Sequence, residues 1–219
     1  MVGRLRAGPG LIARQIWAYT CSAVALVRVY VVYDGDRESP ITRLARAVAD
    51  GAASVSEIEV VQHTAQQASL EAMIAADAII LGSPNWHGPT ATLKAFVDQA
   101  GLAWEQGQLV GRVGAAFTTG WSRAGGQEMT LLMLLHVFLA HGMVVVGLPW
   151  SRRMVRSGSY YGATSTGGPN EDDLAQAQAL GRRTARYARW LKLGRGAETD
   201  EVEGGLFTPP ATPHEPRDG

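Results

Sequence analysis

The sequence predicts an α/β fold: a doubly wound, five-stranded parallel sheet in the order 2-1-3-4-5, with helices on both faces. Short apolar runs of strand type alternate along the chain with segments that carry apolar residues at helical spacing. No G-x-G-x-x-G pattern follows the first strand, which argues against the strand order of dinucleotide-binding folds. The 219 residues are enough for one domain with a substantial core, and the sequence indicates neither a repeat nor a second domain.

The first two strands and the helix between them follow from local residue types. Val27–Tyr33 is rich in β-branched residues, which predicts the first strand. Ser39 and Pro40 are typical of the cap and the first residue of a helix, which Gly51 is expected to end. Residues 55–61 predict the second strand of the sheet.

The third strand leads into the most informative loop of the chain. Residues 64–76 predict a short helical connection, and the apolar run from Ala78 to Gly82 predicts a buried strand. Ser83–Gly88 follows as a loop of small, polar and ring-bearing residues, and the next helix ends near Gly101. This loop therefore lies at the carboxyl edge of a strand, where open α/β sheets bind ligands.

The fourth strand precedes an unusually apolar helix. Residues 113–118 predict the strand, and the glycine-rich loop 119–126 leads into a helix over residues 127–141, which Gly142 ends. The helix is apolar on nearly every side. We therefore expect it to be deeply buried or to pack against another subunit.

One further strand and one helix complete the predicted domain. Residues 143–148 predict strand five. Asn170 is typical of a helix cap, and the acidic Asp172 and Asp173 in the first turn complement the helix dipole. This last helix is expected to run to about Leu193.

The predicted domain covers residues 26–193, between two segments of different character. Residues 1–25 form an N-terminal extension outside the core, interpreted as a surface arm or as the product of an upstream start codon. A secretory signal cleaved after Ala23-Val24-Ala25 is the alternative, although the apolar run 16–27 is too short to span a membrane. The polar tail 194–219 is expected to be disordered.

Composition limits the classes of partner and the compartment. Equal numbers of basic and acidic residues give a formal net charge of zero, which does not favour nucleic acid as a partner. Cys21 is the single cysteine, so no internal disulfide can form and a reducing, cytoplasmic compartment fits best. The five histidines are scattered, so no metal site is predicted, and stable membrane association is not expected.

Two strand–helix junctions could bind an anion or a planar polar group. The helix start at Ser39 offers free amides to a phosphate, although most such starts are ordinary caps and Asp36 would repel an anion. Glycines in the loop 119–126 let backbone amides approach a planar ligand edge, although such loops are often only flexible.

Two acids after the first strand allow a different chemistry. Asp34 and Asp36 stand two residues apart, as do the nucleophile and the acid of haloacid-dehalogenase-like phosphatases. Glu38 occupies a position where those enzymes usually carry threonine or valine, and no later strand ends in the paired acids that bind magnesium. This phosphatase is therefore a remote alternative.

Motifs at three junctions together resemble the WrbA-type NAD(P)H:quinone oxidoreductases over roughly residues 27–193. The matching segments are Gly82-Ser83-Pro84-Asn85-Trp86-His87-Gly88, Lys94-Ala95-Phe96-Val97-Asp98-Gln99, Trp104, Gly125-Gly126-Gln127-Glu128, Ala140-His141-Gly142-Met143 and Tyr161-Gly162-Ala163-Thr164. The resemblance implies a flavodoxin-like fold, non-covalent FMN and assembly into a homodimer or homotetramer. It further implies two-electron transfer from NAD(P)H through FMN to a small-molecule quinone.

The same resemblance implies roles for individual residues. The phosphate would be held by Arg37, Ser39, Pro40 and Ile41. The flavin ring would be lined by Ser83, Pro84, Asn85, Trp86, His87 and Gly88, and its pyrimidine edge would be held by Thr118, Thr119, Gly120, Gly125 and Gly126. The pocket that nicotinamide and quinone use in turn would be lined by Trp104, His141 and Tyr161. The first loop is longer and more acidic than is usual in the family, and Trp86 replaces a residue that is usually polar.

Three other functions remain alternatives at this point. A non-enzymatic, flavodoxin-like electron carrier would share the FMN site, but such carriers tend to be acidic and monomeric. An NAD(P)H-dependent FMN reductase shares much of the loop after strand three. An interaction protein that has lost its flavin would account for the acidic first loop.

Overall fold

The computed structural model describes residues 26–194, which form a doubly wound parallel sheet with helices on both faces. The main strand order is β2-β1-β3-β4-β5, as predicted, and a further strand, β6, pairs with β4. The predicted N-terminal extension, residues 1–25, and all of the predicted tail except residue 194 lie outside the described residues. No helix within 26–194 is long and apolar enough to cross a bilayer.

The elements alternate along the chain from the first strand to the last helix. The strands are β1 Val27–Tyr33, β2 Ile58–Thr64, β3 Ala78–Pro84, β4 Val113–Gly120, β5 Val144–Val145 and β6 Gly162–Thr166. The helices are α1 Pro40–Ala53, α2 Leu70–Ala75, α3 Ala91–Asp98, α4 Gly101–Glu105, α5 Gln127–Ala140 and α6 Glu171–Gly194, with a 3₁₀ turn at Arg152–Val155.

Two apolar layers, one on each face of the sheet, hold these elements together. On one face, α1 and α6 pack through residues such as Leu44 and Leu180. On the other face, α2 to α5 pack through residues such as Phe96 and Phe138. Because β1 and β3 are buried on both faces, their sequences are almost continuously apolar, as parallel strands of such folds require.

Helix α1 does not end at Gly51 as predicted. It continues to Ala53, and Gly51 lies inside it. A Cβ atom at Gly51 would lie 2.0 Å from the carbonyl oxygen of Gln178, and one at Gly181 would lie 1.9 Å from that of Val48. The two glycines therefore let the backbones of α1 and α6 touch, which is a tertiary role and not a capping role.

The predicted fifth strand over residues 143–148 was too long. Only Val144–Val145 pairs with the start of β4, and the segment Gly162–Thr166 pairs in parallel with its later part, from Ala116 to Gly120. The polar composition of β6 concealed it in the sequence. The two short segments together provide the edge that a single strand was expected to provide.

The second strand lies three residues later than predicted, at Ile58–Thr64. Residues 54–57 form a turn after α1, and Glu57 adopts a positive φ of 66°. The connection predicted at 64–76 is helical only over Leu70–Ala75, where the Ser69 side chain caps the helix by accepting a hydrogen bond from the Ala72 N–H.

Candidate functional site

A cavity of about 380 Å³ opens at the carboxyl edge of the sheet, where β1, β3 and β4 end side by side. Its volume is in the range of small-molecule sites. The cavity is lined by Asp34, Gly35, Asp36, Ser39, Pro40, Ile41, Pro84, Asn85, Trp86, Thr90, Thr119, Gly120, Trp121 and Gly167.

The loop after β1 is folded around one carbonyl oxygen. The Asp36 carbonyl accepts hydrogen bonds from the hydroxyls of Ser39 (2.9 Å) and Thr42 (2.6 Å) and from the Ser39 N–H (3.1 Å). Gly35 leaves the room for this turn, since a Cβ atom there would lie 2.3 Å from Ile41 Cγ2. Ser39 thus caps α1 by position, without the side-chain bond to the helix that a serine cap commonly makes.

The start of α1 presents both donors and negative charge to the cavity. The first-turn amides of Ile41 and Thr42 have no partner within the helix, as at any helix N-terminus. Asp34 and Asp36 line the same space, and Asp34 Oδ1 accepts a hydrogen bond from Gln66 Nε2 at 3.1 Å. Glu38 does not line the cavity. Its carboxylate lies 3.4 Å from the Arg46 guanidinium.

The loop after β3 is held in place by its buried hydroxyl and its amide side chain. Ser83 Oγ accepts from the Thr90 N–H at 2.9 Å and donates to the Pro84 carbonyl at 2.8 Å. Asn85 Nδ2 donates to the Gly125 carbonyl at 2.7 Å, and its Oδ1 accepts from the Thr130 hydroxyl at 2.9 Å. The Asn85 bonds therefore join the loop after β3 to the loop after β4 and to the start of α5, and together these form one rim of the cavity.

Two positive φ angles turn the same loop back toward helix α3. His87 has a φ of 61° and Gly88 a φ of 131°, and the Trp86 N–H donates to the Gly88 carbonyl at 3.0 Å. The turn leaves Trp86 64% exposed beside the cavity. A histidine with positive φ is uncommon, so the loop conformation is maintained at some cost.

The loop after β4 is joined to the end of β6. Gln127 Nε2 donates to the Ser122 carbonyl and to the Thr166 hydroxyl, each at 3.1 Å. The Gly167 N–H donates to the Gly120 carbonyl at 2.8 Å. Trp121, at the tip, is 81% exposed and faces the cavity that Trp86 borders.

The structure brings eight of the fifteen predicted cofactor residues to the cavity and places the others around it. The eight are Ser39, Pro40, Ile41, Pro84, Asn85, Trp86, Thr119 and Gly120. The seven that do not line it are Arg37, Ser83, His87, Gly88, Thr118, Gly125 and Gly126. Of these, Ser83 and Thr118 are buried beneath it, bonded through Thr118 Oγ1 to the Ser83 carbonyl at 2.7 Å.

Within one chain, two of the predicted catalytic residues lie at the other edge of the sheet. Trp104 Nε1 donates to the Ala140 carbonyl at 2.7 Å, and both Trp104 and His141 line a shallow cleft at the far end of α5. Helix α5 has 14 residues and is therefore about 21 Å long, with the large cavity at its other end. Tyr161, partly exposed, lies just before β6 and lines neither space.

The His141 side chain is buried with an unused ring nitrogen. The residue is 9% exposed, and its Nδ1 has no hydrogen-bond partner in the described part of the chain. Burial lowers the pKa of the imidazole below its ordinary value, because the charged form loses solvation. His141 is therefore held neutral more strongly than a histidine in water.

Three cavity residues besides the acids were given no role from the sequence, namely Gly35, Thr90 and Gly167. Trp121 lies in the loop 119–126, which was expected to approach a ligand edge, although no role was assigned to its ring. Gly167 had no signal in the sequence, since its position depends on the pairing of β6 with β4.

The phosphatase alternative gains no support from the same cavity. Asp34 and Asp36 both line it, but no group of three His, Cys, Asp or Glu residues within 26–194 is placed to hold a metal ion. The magnesium site that such a mechanism needs is thus not formed by the described residues.

Comparison with known proteins connects this cavity with a family. A family model described as NADPH-dependent FMN reductase matches residues 37–152, more than half of the chain. A protein of Sinorhizobium fredii named NAD(P)H dehydrogenase (quinone) is 40% identical over 167 residues, covering 70% of this chain and 83% of the relative. One of the same name from Aromatoleum aromaticum is 37% identical, covering 72% and 94%. A third, from Archaeoglobus fulgidus, is 49% identical over a shorter match of 52% and 61%.

Solved structures agree with the fold. A flavodoxin, WrbA-like protein from Agrobacterium tumefaciens superposes with a TM-score of 0.61 at 28% identity, covering 74% of this chain and 98% of that one. A flavodoxin from the domain Archaea superposes with a TM-score of 0.58 at 19% identity, which supports the flavodoxin-like fold alone. Together with the sequence relatives, these likenesses show that the chain belongs to the NADPH-dependent FMN reductase family, and the three relatives above are each named NAD(P)H dehydrogenase (quinone).

Proposed function

We propose that this protein is an FMN-dependent NAD(P)H:quinone oxidoreductase. The observation that carries the proposal is the cavity at the carboxyl edge, where loops from three adjacent strands meet in a chain of this family. FMN is the cofactor, NAD(P)H the electron donor and a small quinone the acceptor, as the names of the family and of the relatives indicate.

The residues around the cavity fit FMN at its ring end and less well at its phosphate end. The exposed rings of Trp86 and Trp121 offer apolar surface to a planar group, and Thr119 and Gly120 line the cavity beside them. The free amides at the start of α1 suit a phosphate, whereas Asp36 opposes one.

Bound FMN supplies the two-electron chemistry of the reaction, and the protein supplies position and electrostatics. Backbone amides of the loop that follows Gly120 would stabilise negative charge at the ligand edge that they face. The rings of Trp86 and Trp121 would cover part of the bound flavin ring and exclude water from it. The Asn85 bonds to Gly125 and Thr130 keep this rim rigid, which preserves the alignment of the ring with its reaction partners.

The predicted catalytic residues can reach a cavity only if two copies of the chain assemble. A groove of about 370 Å³ runs between α3 and α5 and continues into the cleft of Trp104 and His141. Leu132, Met133 and Leu139 of α5 are exposed along this side. We infer that a second copy covers this face, in a homodimer or homotetramer, and that Trp104, His141 and Tyr161 of one copy complete the cavity of another.

The kinetics expected of a shared pocket are ping-pong, because the oxidised nicotinamide must leave before the quinone enters. His141, whose pKa is lowered by burial, would then hydrogen-bond the quinone as a neutral imidazole and would not act on the nicotinamide. The proposed location is the cytoplasm, without stable membrane association.

Residues 26–193 are proposed to be the functional domain. Every residue that lines the cavity lies within this range. A protein truncated before Leu26 is expected to fold and to bind FMN. An unfolded product would make the N-terminal segment part of the structure.

One assay tests the proposed function. The purified protein should carry a yellow, FMN-like absorbance and should oxidise NADPH or NADH when benzoquinone is added. A yellow protein without turnover would instead be an electron carrier. A colourless protein that ignores added FMN would be the interaction protein that has lost its flavin.

A further inference from the structure

A second, polar pocket of about 170 Å³ lies beside the cavity. It is enclosed by the 3₁₀ turn Arg152–Val155, the end of β6 and the start of α6. The residues that line it include Thr164, Ser165 and Thr166 of β6 and Arg123. Polar side chains with few apolar neighbours suit a charged or hydroxyl-rich ligand.

The two spaces share two walls. Trp121 lines the large cavity, and Arg123, two residues later, lines the polar pocket. On the facing wall, Thr166 lines the pocket and its neighbour Gly167 lines the cavity. The two spaces are therefore separated along each wall by only one or two residues of chain. A molecule with its reactive ring at the cavity can thus extend into the pocket.

One buried hydroxyl in the pocket has no partner. Ser157 is 7% exposed, and its Oγ makes no hydrogen bond within residues 26–194. An unpaired buried hydroxyl costs free energy unless a ligand or water satisfies it. Ser157 lines the pocket, where a bound acceptor or an ordered water would satisfy this hydroxyl.

Cationic donors border the same space. Arg123 forms no ion pair or hydrogen bond with the described residues, and Arg156 uses only its Nε, at 2.8 Å from Asp172 Oδ2. Asp172 also accepts from Arg153 at 2.5 Å, so one carboxylate is shared by two guanidinium groups. The terminal nitrogens of Arg156 and the whole fork of Arg123 are available to an anion.

The acid in the pocket is already engaged. Asp173 accepts a hydrogen bond from the Asn170 N–H at 2.9 Å, while its own N–H donates to Asn170 Oδ1 at 3.0 Å. This reciprocal bonding is a capping box at the start of α6. The remaining carboxylate lone pairs suit a ribose hydroxyl, which is a donor.

We propose that this pocket binds the phosphate monoester on the adenosine ribose of NADPH, the group that distinguishes NADPH from NADH. Arg123 and Arg156 pair with the phosphate, Ser157 donates to it, and Asp173 accepts from the neighbouring ribose hydroxyl. The identity of the dinucleotide rests on the proposed function. The existence of the phosphate site does not.

Calorimetric titration of the FMN-loaded protein tests the site without turnover. The probes are adenosine 2′,5′-bisphosphate, 5′-AMP and inorganic phosphate. The bisphosphate is expected to bind at least about tenfold more tightly than 5′-AMP, since one charge-assisted contact contributes roughly that factor. Equal affinities, or binding of inorganic phosphate alone, would overturn the proposal.

Two variants and one control locate the binding. Arg123→Ala should weaken the bisphosphate about tenfold or more, and Ser157→Ala about threefold to tenfold, with 5′-AMP unchanged. Ser157→Ala removes a hydroxyl that has no partner, so the fold should tolerate it. Arg152→Ala, an exposed arginine that does not line the pocket, should change nothing. An equal loss in Arg152→Ala would mean that only general surface charge attracts the ligand.

Steady-state kinetics separates this inference from the function on which it rests. In Arg123→Ala, the KM for NADPH should rise about tenfold while the KM for NADH and both kcat values stay the same. A protein that oxidises both dinucleotides with an unchanged KM ratio would refute the site and leave the oxidoreductase intact. A protein that oxidises neither would refute the function, and the titration would still decide the site.

Discussion

The two edges of the sheet use polar residues in opposite ways. At the amino edge, Asp77 is 8% exposed and accepts from the Arg28 N–H (2.8 Å), from Arg112 Nη1 (3.0 Å) and from Lys192 Nζ (2.7 Å). At the carboxyl edge, Asp36 and two exposed tryptophans surround an open cavity. Polar groups are satisfied within the protein at one edge and are left for a ligand at the other. The first edge therefore stabilises the fold, and the second is available for binding.

The largest expected effect breaks the network at the amino edge. Asp77→Ala leaves Arg112 and Lys192 without their carboxylate and should lower the free energy of unfolding by about 3 kcal/mol. Urea denaturation measures the change, with Asp98→Ala in the exposed pair with Lys94 as a control that should cost less than about 1 kcal/mol. FMN affinity should be unchanged. A loss of FMN binding in folded Asp77→Ala would show that the two edges are not independent.

His141 is the exception that sharpens this comparison, because it is a proposed catalytic residue at the amino edge. His141→Ala should slow quinone reduction about tenfold to a hundredfold and affect the reaction with NAD(P)H much less, as expected for a lost hydrogen-bond donor. Stopped-flow absorbance separates the two half-reactions. If neither rate changes, the histidine is structural. If only the reaction with NAD(P)H is lost, it acts on the nicotinamide side.

A smaller effect is expected from the acid at the open edge. Asp36→Ser removes a negative charge beside the proposed phosphate position and should tighten FMN binding about fivefold. Glu38→Ser is the matched control and should change little, because Glu38 lies outside the cavity and is offset by Arg46. Quenching of flavin fluorescence gives both affinities. Riboflavin binding as tightly as FMN would show that no phosphate is held there.

The smallest expected effect concerns pH and the buried histidine. Because burial lowers the pKa of His141, the folded protein takes up its proton at lower pH than the unfolded chain does. The free energy of unfolding should therefore fall as the pH drops below the unfolded value of about 6.5. His141→Asn should lose part of this decline between pH 7.5 and 5.5, and His136→Asn, at an exposed position, should retain it. Parallel curves for wild type and His141→Asn would contradict the prediction.

The parts of the fold that depend on local pattern could be predicted, and the parts that depend on tertiary contact could not. Val27–Tyr33 was predicted to the residue, because a β-branched run buried on both faces has a distinct composition. Gly51 was mistaken for a helix end, because only the approach of α6 reveals its role. The strand Gly162–Thr166 was missed because its polar residues do not form an apolar run.

The candidate site shows the same difference between features that depend on local sequence and features that depend on tertiary contacts. The loops at Pro84–Trp86 and Thr119–Gly120 were predicted, since ligand sites in such folds lie at the carboxyl ends of strands. Arg37 was expected near the phosphate, but it does not line the cavity, and its carbonyl accepts from Arg46 Nη2 at 3.1 Å. The side-chain direction of a loop residue depends on such partners, which the sequence alone does not identify.

The glycine contact between α1 and α6 has a mechanical consequence. Because the backbones of α1 and α6 touch at Gly51 and Gly181, close packing at this crossing resists sliding of one helix along the other. The N-terminus of α1 opens onto the large cavity and that of α6 onto the polar pocket. The distance between the large cavity and the polar pocket is thus set by the buried crossing of α1 and α6. Substitutions in the loops can change which chemical groups each space binds. A substitution at the crossing would instead change the length of ligand that can occupy both spaces.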